Sequence, residues 1–271
     1  MPFVIDLDPV AFSLLGFHLR WYGIAVASGA AVAVWLSLRG GKRGGSAAET
    51  ISDAVLWVTL AALLGGRLLY VIQNELATVS QDPAHLFMVW DGGLSFYGGL
   101  VGALLALAVF ARRRRMALLP LLGVAAPAAA IGQAIGHVGC LIGGDSYGTA
   151  TGAPWAVVYT NPHAMAPLGI PLHPTQAYEA ILLAALFAAL WLGRQRLAGL
   201  GAGTVAAAYL MGLAVIRFGL FFLRDEPAVL FGLKTAQLLG VGIALLALVI
   251  YVAARQSRHP TPSLVFEVSR P

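Results

Sequence analysis

Seven stretches of about 20 apolar residues dominate this chain, and each is long enough to cross a hydrocarbon layer as a helix. Charged residues make up only 11% of the 271 positions, against about 25% in soluble domains, which excludes a soluble globule and a disordered chain. The stretches lack the period-two alternation of barrel strands. We therefore expect an all-α polytopic membrane protein, a bundle of seven transmembrane helices. The stretches cover residues 21–38, 53–73, 96–111, 117–138, 174–193, 201–223 and 235–254.

The placement of basic residues predicts the orientation of the bundle. Most of the 17 Lys and Arg residues follow the first, third, fifth and seventh stretches, and basic loops favour the cytoplasm. This places the N-terminus outside and the C-terminus in the cytoplasm, with Arg224 at the outer edge. The net charge of +5 reflects topology and predicts no nucleic-acid partner. The predicted parts are a transmembrane domain (1–255), its outer loops (74–95, 139–173 and 224–234) and a cytoplasmic tail (256–271).

Two arginines, Arg67 and Arg217, fall inside predicted helices, where a charge is costly and marks a candidate functional site. Glu179 is the acidic residue that lies well inside a stretch. Two interpretations stay open: Glu179 neutralises one of these arginines for structural reasons, or the surplus positive charge binds an anion. A guanidinium matches phosphate oxygens in a bidentate manner, which favours a phosphate-bearing ligand in the second case.

Two polar segments enter the apolar helices. The sequence HPTQAYE (173–179) opens the fifth helix, and a helical period places His173, Gln176 and Glu179 in one stripe, which we expect to line a cavity. The sequence GHVGCLIGGDSYG (136–148) holds the second set of polar residues, among five glycines. Its Cys140 is the one cysteine of the chain, so an internal disulfide is excluded, and we expect it to be a small buried residue.

Three segments together resemble the prolipoprotein diacylglyceryl transferase family, in the same order and spacing. They are WYG (21–23), WDGGLSFYGG (90–99) and HPTQAYE (173–179). The resemblance extends over residues 15–250 and includes GGR at 65–67 and the run from Arg217 to Arg224. It implies transfer of diacylglyceryl from phosphatidylglycerol to a lipobox cysteine thiol, with release of glycerol phosphate. It also implies a bacterial cytoplasmic (inner) membrane location, without metal or cofactor.

The resemblance also implies candidate site residues. Tyr22, Gly148 and Arg217 match the functional positions of the family. Seven other positions differ. The family has His at Tyr97, Arg at His137, Asn at Cys140 and Gly143, Glu at Asp145 and Phe221, and Tyr at Leu213. The expected catalytic residues are Tyr97, Asp145, Tyr22 and Glu179. The expected residues that bind the phospholipid headgroup are Arg217, His137, Arg67, Gln176, His173 and Gly148. The expected partners are phosphatidylglycerol or another anionic phospholipid, and a prolipoprotein signal peptide with its lipobox cysteine.

Two alternatives remain open because the substitutions fall within the expected site. One is a paralogue of the same fold that transfers another lipid group or only binds anionic lipid, since function belongs to the site and not to the fold. The other is a small-solute transporter, which intramembrane charges and glycine-rich interruptions also fit. Against a transporter, the two halves of the chain show no internal repeat, and the polar residues cluster toward the outer half.

Overall fold

The computed structural model describes residues 2–14, 17–43, 48–87, 93–201 and 203–256. Most of these residues are helical. A π-helical turn (Val71–Glu75) joins α2 to α3, and a 3-10 turn (Pro83–Phe87) follows α3. The helices of the described part are α1 (Trp21–Arg43), α2 (Ala48–Tyr70), α3 (Leu76–Gln81), α4 (Phe96–Arg113), α5 (Leu118–Gly143), α6 (Thr175–Ala198), α7 (Thr204–Leu220) and α8 (Thr235–Gln256).

Several of these helices are built to cross a membrane. Five helical stretches of the described chain are long and apolar enough to do so: Trp21–Arg39, Asp53–Gln81, Leu118–Gly143, Thr175–Ala198 and Thr235–Gln256. Helix α7 is apolar but shorter. Large apolar side chains such as Leu192 and Val215 point outward, as expected for helices in lipid. The multi-pass helical character is confirmed, and each of the seven predicted stretches overlaps a helix. The number of spans and the orientation of the termini stay predictions.

In the described part of the chain, three short strand pairs lie outside the long helices, and none of them was expected from the sequence. Strand β1 (Phe3–Ile5) pairs in parallel with β4 (Val157–Tyr159). The other pairs are antiparallel: β2 (Val10–Leu14) with β3 (Phe17–Arg20), and β5 (Ala228–Leu230) with β6 (Leu233–Lys234). Strands of two to five residues leave almost no hydropathy signal. The β1–β4 pair in addition joins segments about 150 residues apart in the chain, which no local pattern reveals.

Glycines allow two helix pairs to approach closely. A Cβ atom on Gly98 or Gly102 of α4 would overlap a backbone oxygen of α2, at Gly65 and Ala61 respectively. On the other pair, a Cβ atom on Gly29 of α1 would overlap the carbonyl oxygen of Gly132 in α5. In membranes, small residues at helix interfaces gain van der Waals contact in place of a hydrophobic driving force. The pairs α1–α5 and α2–α4 are therefore held by backbone-to-backbone packing.

The buried core lies between α5, α6, α7 and α8, with Ala130, Leu183, Leu213 and Ala247 at its centre. The end of α5 lies beside the start of α6, where Gln176 Nε2 donates a hydrogen bond to the Asp145 carbonyl oxygen at 2.6 Å. The end of α7 likewise lies beside the start of α8, because Gln237 Nε2 donates to the Phe218 carbonyl oxygen at 3.1 Å. We call this end of the bundle the polar end. It carries most of the candidate site residues.

Candidate functional site

A fully buried carboxylate, Glu179, forms the centre of the polar end. Arg224 Nη2 donates a hydrogen bond to Glu179 Oε2 at 2.7 Å. Two further basic side chains approach the other oxygen: Arg217 Nε lies 3.2 Å and His137 Nε2 lies 3.3 Å from Glu179 Oε1. The three partners come from α5, the last turn of α7 and the segment after α7, so the cluster forms only when these elements pack around the start of α6.

The charges of this cluster do not balance. Arg217 and Arg224 each have a side chain only 8% exposed, and Glu179 is the buried acid between them. Glu226 lies 3.8 Å from Arg224 Nη1, but its side chain is 40% exposed and therefore screened by solvent. Within this cluster, two buried guanidinium groups face one buried carboxylate. Such a site favours an anion.

Arg224 is a member of the site that was expected only as a residue at the outer edge of the membrane, and the sequence did not assign it to the site. The chain turns back after α7, and the Phe221 ring lies 4.5 Å from the Arg224 guanidinium carbon. Lys234 Nζ donates hydrogen bonds to the carbonyl oxygens of Phe221 and Arg224, which fixes this turn. A sequence signal was present, because residues seven apart on a helix share a face and Arg224 follows Arg217 by seven.

Gly148 allows three segments to meet beside Glu179. A Cβ atom here would lie 2.7 Å from His173 Cβ and 2.8 Å from the Leu223 carbonyl oxygen. Gly148 N donates to the His173 carbonyl oxygen at 3.0 Å, and Thr149 N donates to the Leu223 carbonyl oxygen at 2.8 Å. The loop after α5, the entry to α6 and the turn that carries Arg224 are thus joined here. Gly148 acts through its lack of a side chain, and it positions Arg224.

The predicted polar stripe of α6 separates into three environments. Glu179 joins the charge cluster, whereas Gln176 is fully buried and binds the Asp145 backbone. His173 Nδ1 lies 3.3 Å from the Tyr178 hydroxyl, which also accepts a hydrogen bond from Trp155 Nε1 at 2.7 Å. Trp155 is half exposed, so this aromatic group lies toward the surface of the polar end. The stripe runs from the surface to the buried carboxylate.

Asp145, Cys140 and Tyr22 form a second group close to the first. Asp145 Oδ1 is buried and has no hydrogen-bond partner among the described residues. Its carboxyl lies beside the buried Cys140 thiol and within electrostatic range of the Tyr22 hydroxyl. Tyr22 reaches this place because Gly139 has no side chain: a Cβ atom there would lie 2.9 Å from Tyr22 Cα. Cys140 is also within electrostatic range of Arg224 and Glu179, so the two groups adjoin.

Tyr97 brings α4 to the same site. It lies in the first turn of α4, which begins after the N-cap Ser95. Its ring centroid is 5.7 Å from the Arg217 guanidinium carbon, and its hydroxyl oxygen is buried. Arg217 therefore contacts both Tyr97 and Glu179.

Arg67 lies elsewhere, in the last turn of α2. The structure does not bring it to Glu179: Arg67 Nη2 pairs with Glu75 Oε2 at 3.1 Å. The guanidinium also donates hydrogen bonds to three backbone oxygens of the segment before α4, at His85 (2.6 Å), Leu86 (3.1 Å) and Gly93 (3.3 Å). Gly93 has a φ of 75°, and a Cβ atom there would lie 2.7 Å from Arg67 Nη1. Arg67 therefore holds the segment that leads to Tyr97.

The glycine-rich motif before α4 is described from Gly93 onward. Trp90, Asp91 and Gly92 lie outside the described residues, as do positions 257–271 of the expected tail. The described part of the motif packs on α2. Ser95 N donates to the Gly66 carbonyl oxygen at 2.9 Å, and Gly98 lies against Gly65.

The fold and the site together define a class, a multi-pass membrane protein with a buried cationic site at one end of its helix bundle. The family model of prolipoprotein diacylglyceryl transferases matches residues 9–253, and the chain belongs to that family, which is a family of transferases. Proteins named phosphatidylglycerol–prolipoprotein diacylglyceryl transferase are similar over most of both chains. The one from Nitratidesulfovibrio vulgaris is 36% identical over 81% of each chain. Those from Chromohalobacter salexigens and Pseudoalteromonas atlantica are 35% and 34% identical, over 93% and 94% of this chain and 94% and 93% of theirs.

Proposed function

We propose that this protein transfers the diacylglyceryl group of phosphatidylglycerol to the thiol of a lipobox cysteine in a prolipoprotein and releases glycerol phosphate. The names of its relatives describe a diacylglyceryl transfer between phosphatidylglycerol and a prolipoprotein. The observation that carries the proposal is the Glu179 cluster, in which two buried arginines face one buried carboxylate. A phosphodiester headgroup supplies the missing negative charge.

Arg217 and Arg224 are the proposed phosphate ligands, because guanidinium edges donate paired hydrogen bonds to phosphate oxygens. Glu179 keeps the two groups side by side. Tyr97 lies against Arg217 and can donate its phenolic hydrogen to the same headgroup. His137 contacts Glu179, and its Nδ1 is buried without a hydrogen-bond partner among the described residues, so it is a further headgroup contact. Gln176, His173 and Gly148 hold the surrounding backbone.

In the proposed reaction, the cysteine sulfur attacks the carbon of the diacylglyceryl group that is bonded to a phosphate oxygen. A carbon–sulfur bond forms, the carbon–oxygen bond breaks, and its electron pair stays on the departing glycerol phosphate. The arginines stabilise the charge that develops on this leaving group. The thiol must lose its proton to become nucleophilic, and Asp145, whose Oδ1 has no other described partner, is the proposed acceptor. Tyr22 lies within electrostatic range of Asp145.

Arg67 supports this site from a distance in the proposal. Its bonds to three backbone oxygens fix the segment before α4, and α4 then presents Tyr97 to Arg217. The expected headgroup role of Arg67 is replaced here by a positioning role.

We further propose seven spans in a bacterial inner membrane, with the polar end and the N-terminus outside and residues 256–271 as a cytoplasmic tail. The support is the charge asymmetry, since α1, α4, α6 and α8 all have arginines in or just after their last turns. Labelling with a membrane-impermeant maleimide tests this. Met165→Cys, exposed at the polar end, should react in intact cells, and Gln256→Cys should react only after permeabilisation. Labelling of Gln256→Cys in intact cells would overturn the orientation.

Turnover in proteoliposomes of phosphatidylglycerol with a lipobox peptide tests the function. Wild type should release glycerol phosphate and attach lipid to the peptide. Arg217→Ala should abolish turnover, and Asp145→Asn should reduce it by about 100-fold or more, as expected for loss of a general base. Arg196→Ala, exposed near the end of α6, is the control and should keep full activity. Lipid binding without turnover would indicate a lipid-binding paralogue, and solute flux would indicate a transporter; either result overturns the proposal.

A further inference from the structure

The end of the bundle opposite the polar end carries a repeated side-chain arrangement. Three contacts define this basic end: Arg114 after α4 pairs with Asp53 near the start of α2 at 2.6 Å, Gly203 before α7 packs on Leu119 of α5, and Gly201 packs on Ala254 of α8. Helix α1 is antiparallel to α5, since its first residues pack near the end of α5, so α1 also ends here.

At this basic end of the described chain, four helices carry an arginine close to or just after their last turn that lies over an aromatic ring of the turn before it. The separations of guanidinium carbon and ring centroid are all within the range of cation–π contacts. The pairs are Trp35–Arg39 at 4.0 Å, Phe110–Arg114 at 5.7 Å, Trp191–Arg194 at 4.3 Å and Tyr251–Arg255 at 5.9 Å.

The four pairs differ in what else they contact. Arg114 is engaged by Asp53, and the Phe110 ring is buried. Arg194 donates to the Trp191 carbonyl oxygen. The rings of Trp35 and Tyr251 are instead exposed on the outside of the bundle, 50% and 38% respectively, and their arginines are exposed as well. In the proposed membrane arrangement, these two pairs present a ring to the lipid and a guanidinium to the membrane–water boundary.

We propose that the Trp35–Arg39 and Tyr251–Arg255 pairs bind anionic phospholipid headgroups of the leaflet at the basic end, independently of the proposed reaction. Stacking occupies one flat face of the guanidinium and directs its N–H edge away from the ring, toward a phosphate. It also limits the rotamers of a long side chain before any lipid binds, which lowers the entropic cost of binding.

Charge favours an anionic headgroup over a zwitterionic one. Among the side chains that the structure describes at this end, eight are arginines and Asp53 is the acidic residue. The arginines are Arg39, Arg112, Arg113, Arg114, Arg115, Arg194, Arg196 and Arg255. An anionic leaflet attracts each arginine near its surface, and aromatic rings such as Trp35 and Tyr251 favour the headgroup level.

The test uses the full chain in mixed micelles and a lipid other than the proposed substrate, phosphatidylserine, with phosphatidylcholine as the zwitterionic comparison. Native mass spectrometry counts retained lipids across a titration. Arg39→Gln and Arg255→Gln should each weaken phosphatidylserine retention about fivefold, and the double variant about 25-fold. Arg114→Gln is the matched control, because Asp53 already pairs with that side chain, and it should change retention less than twofold. Equal thermal stability of all variants in phosphatidylcholine checks that they fold.

Trp35→Leu separates stacking from charge. It keeps Arg39 and an apolar side chain, and it should still lower phosphatidylserine retention by about two- to fivefold, because the guanidinium is no longer ordered. Wild-type retention by the double variant, or an equal loss in Arg114→Gln, would overturn the proposal, as would equal binding of both lipids. Unchanged retention in Trp35→Leu would refute the role of stacking. None of these measurements depends on turnover, so they are separate from the test of the transferase.

Discussion

Replacement of Glu179 by glutamine should destabilise the protein strongly, although the two side chains have nearly the same shape. The change removes the charge that lies 2.7 Å from Arg224 and 3.2 Å from Arg217. Both guanidinium groups stay buried and positive, and they then repel each other with no acid between them. Loss of one partner of a buried ion pair typically costs about 3–5 kcal/mol, so we expect Glu179→Gln to lower the free energy of unfolding by that amount.

Glu226→Gln is the matched control for this experiment. Glu226 also faces Arg224, at 3.8 Å, but its side chain is 40% exposed, and such pairs contribute about 1 kcal/mol or less. The free energy of unfolding is measured by titration with sodium dodecyl sulfate in mixed micelles, followed by circular dichroism. A Glu179→Gln variant within about 1 kcal/mol of the wild type would refute the argument that two buried arginines depend on this carboxylate.

The same variant connects stability to the proposed ligand. A phosphodiester placed between Arg217 and Arg224 restores the missing negative charge, so phosphatidylglycerol should stabilise Glu179→Gln more than it stabilises the wild type. Phosphatidylcholine, which has no net charge, should rescue it less. Equal stabilisation of variant and wild type by phosphatidylglycerol would show that the headgroup does not bind at these arginines.

The remaining predictions concern three other positions. Arg67→Lys should lower kcat at least tenfold while the KM for phosphatidylglycerol stays unchanged, because the donors of an ammonium group share one nitrogen, whereas Arg67 reaches three backbone oxygens from Nε, Nη1 and Nη2. A higher KM with constant kcat in steady-state assays would favour headgroup binding instead. Gly98→Ala should lower the thermal midpoint of unfolding by several degrees, since its Cβ would overlap the Gly65 carbonyl oxygen. Gly219→Ala is the control and should not lower it, because the space around Gly219 is open. Equal midpoints of the two variants would refute the close α2–α4 crossing. His137→Arg places a permanent cation beside Glu179 and should keep or raise the rate of glycerol phosphate release. A lower rate would indicate that the site accommodates imidazole and not the larger guanidinium.

The polar residues show what local patterns predict well. The helical period of HPTQAYE placed His173, Gln176 and Glu179 on one face, and all three lie along the path from the surface to the buried carboxylate. A hydrophobic or polar period depends only on consecutive residues of one helix, so the faces that it predicts are also found in the folded protein. The partners of these residues are not consecutive. Gln176 binds the Asp145 backbone and Glu179 binds Arg224, contacts that span 31 and 45 positions.

Arg224 and Arg67 show where such patterns fail. Distance from the nearest loop suggested that Arg67 lies inside the membrane and that Arg224 lies at its edge. Both side chains are buried, but Arg224 joins Glu179 and Arg67 joins Glu75. The turn after α7 and the close contacts of Gly148 decide the first pairing, and the segment before α4 decides the second.

The amino-acid sequence by itself determined that this is a helical membrane protein, which family it resembles, and that its buried charges are few. The free energy of transfer of an apolar stretch from water to the bilayer depends on its own residues, so hydropathy predicts each helix separately. Only the tertiary structure decided which cations share Glu179. A buried charge is stabilised by whatever lies within about 4 Å of it in space, and packing sets that distance where spacing along the chain does not.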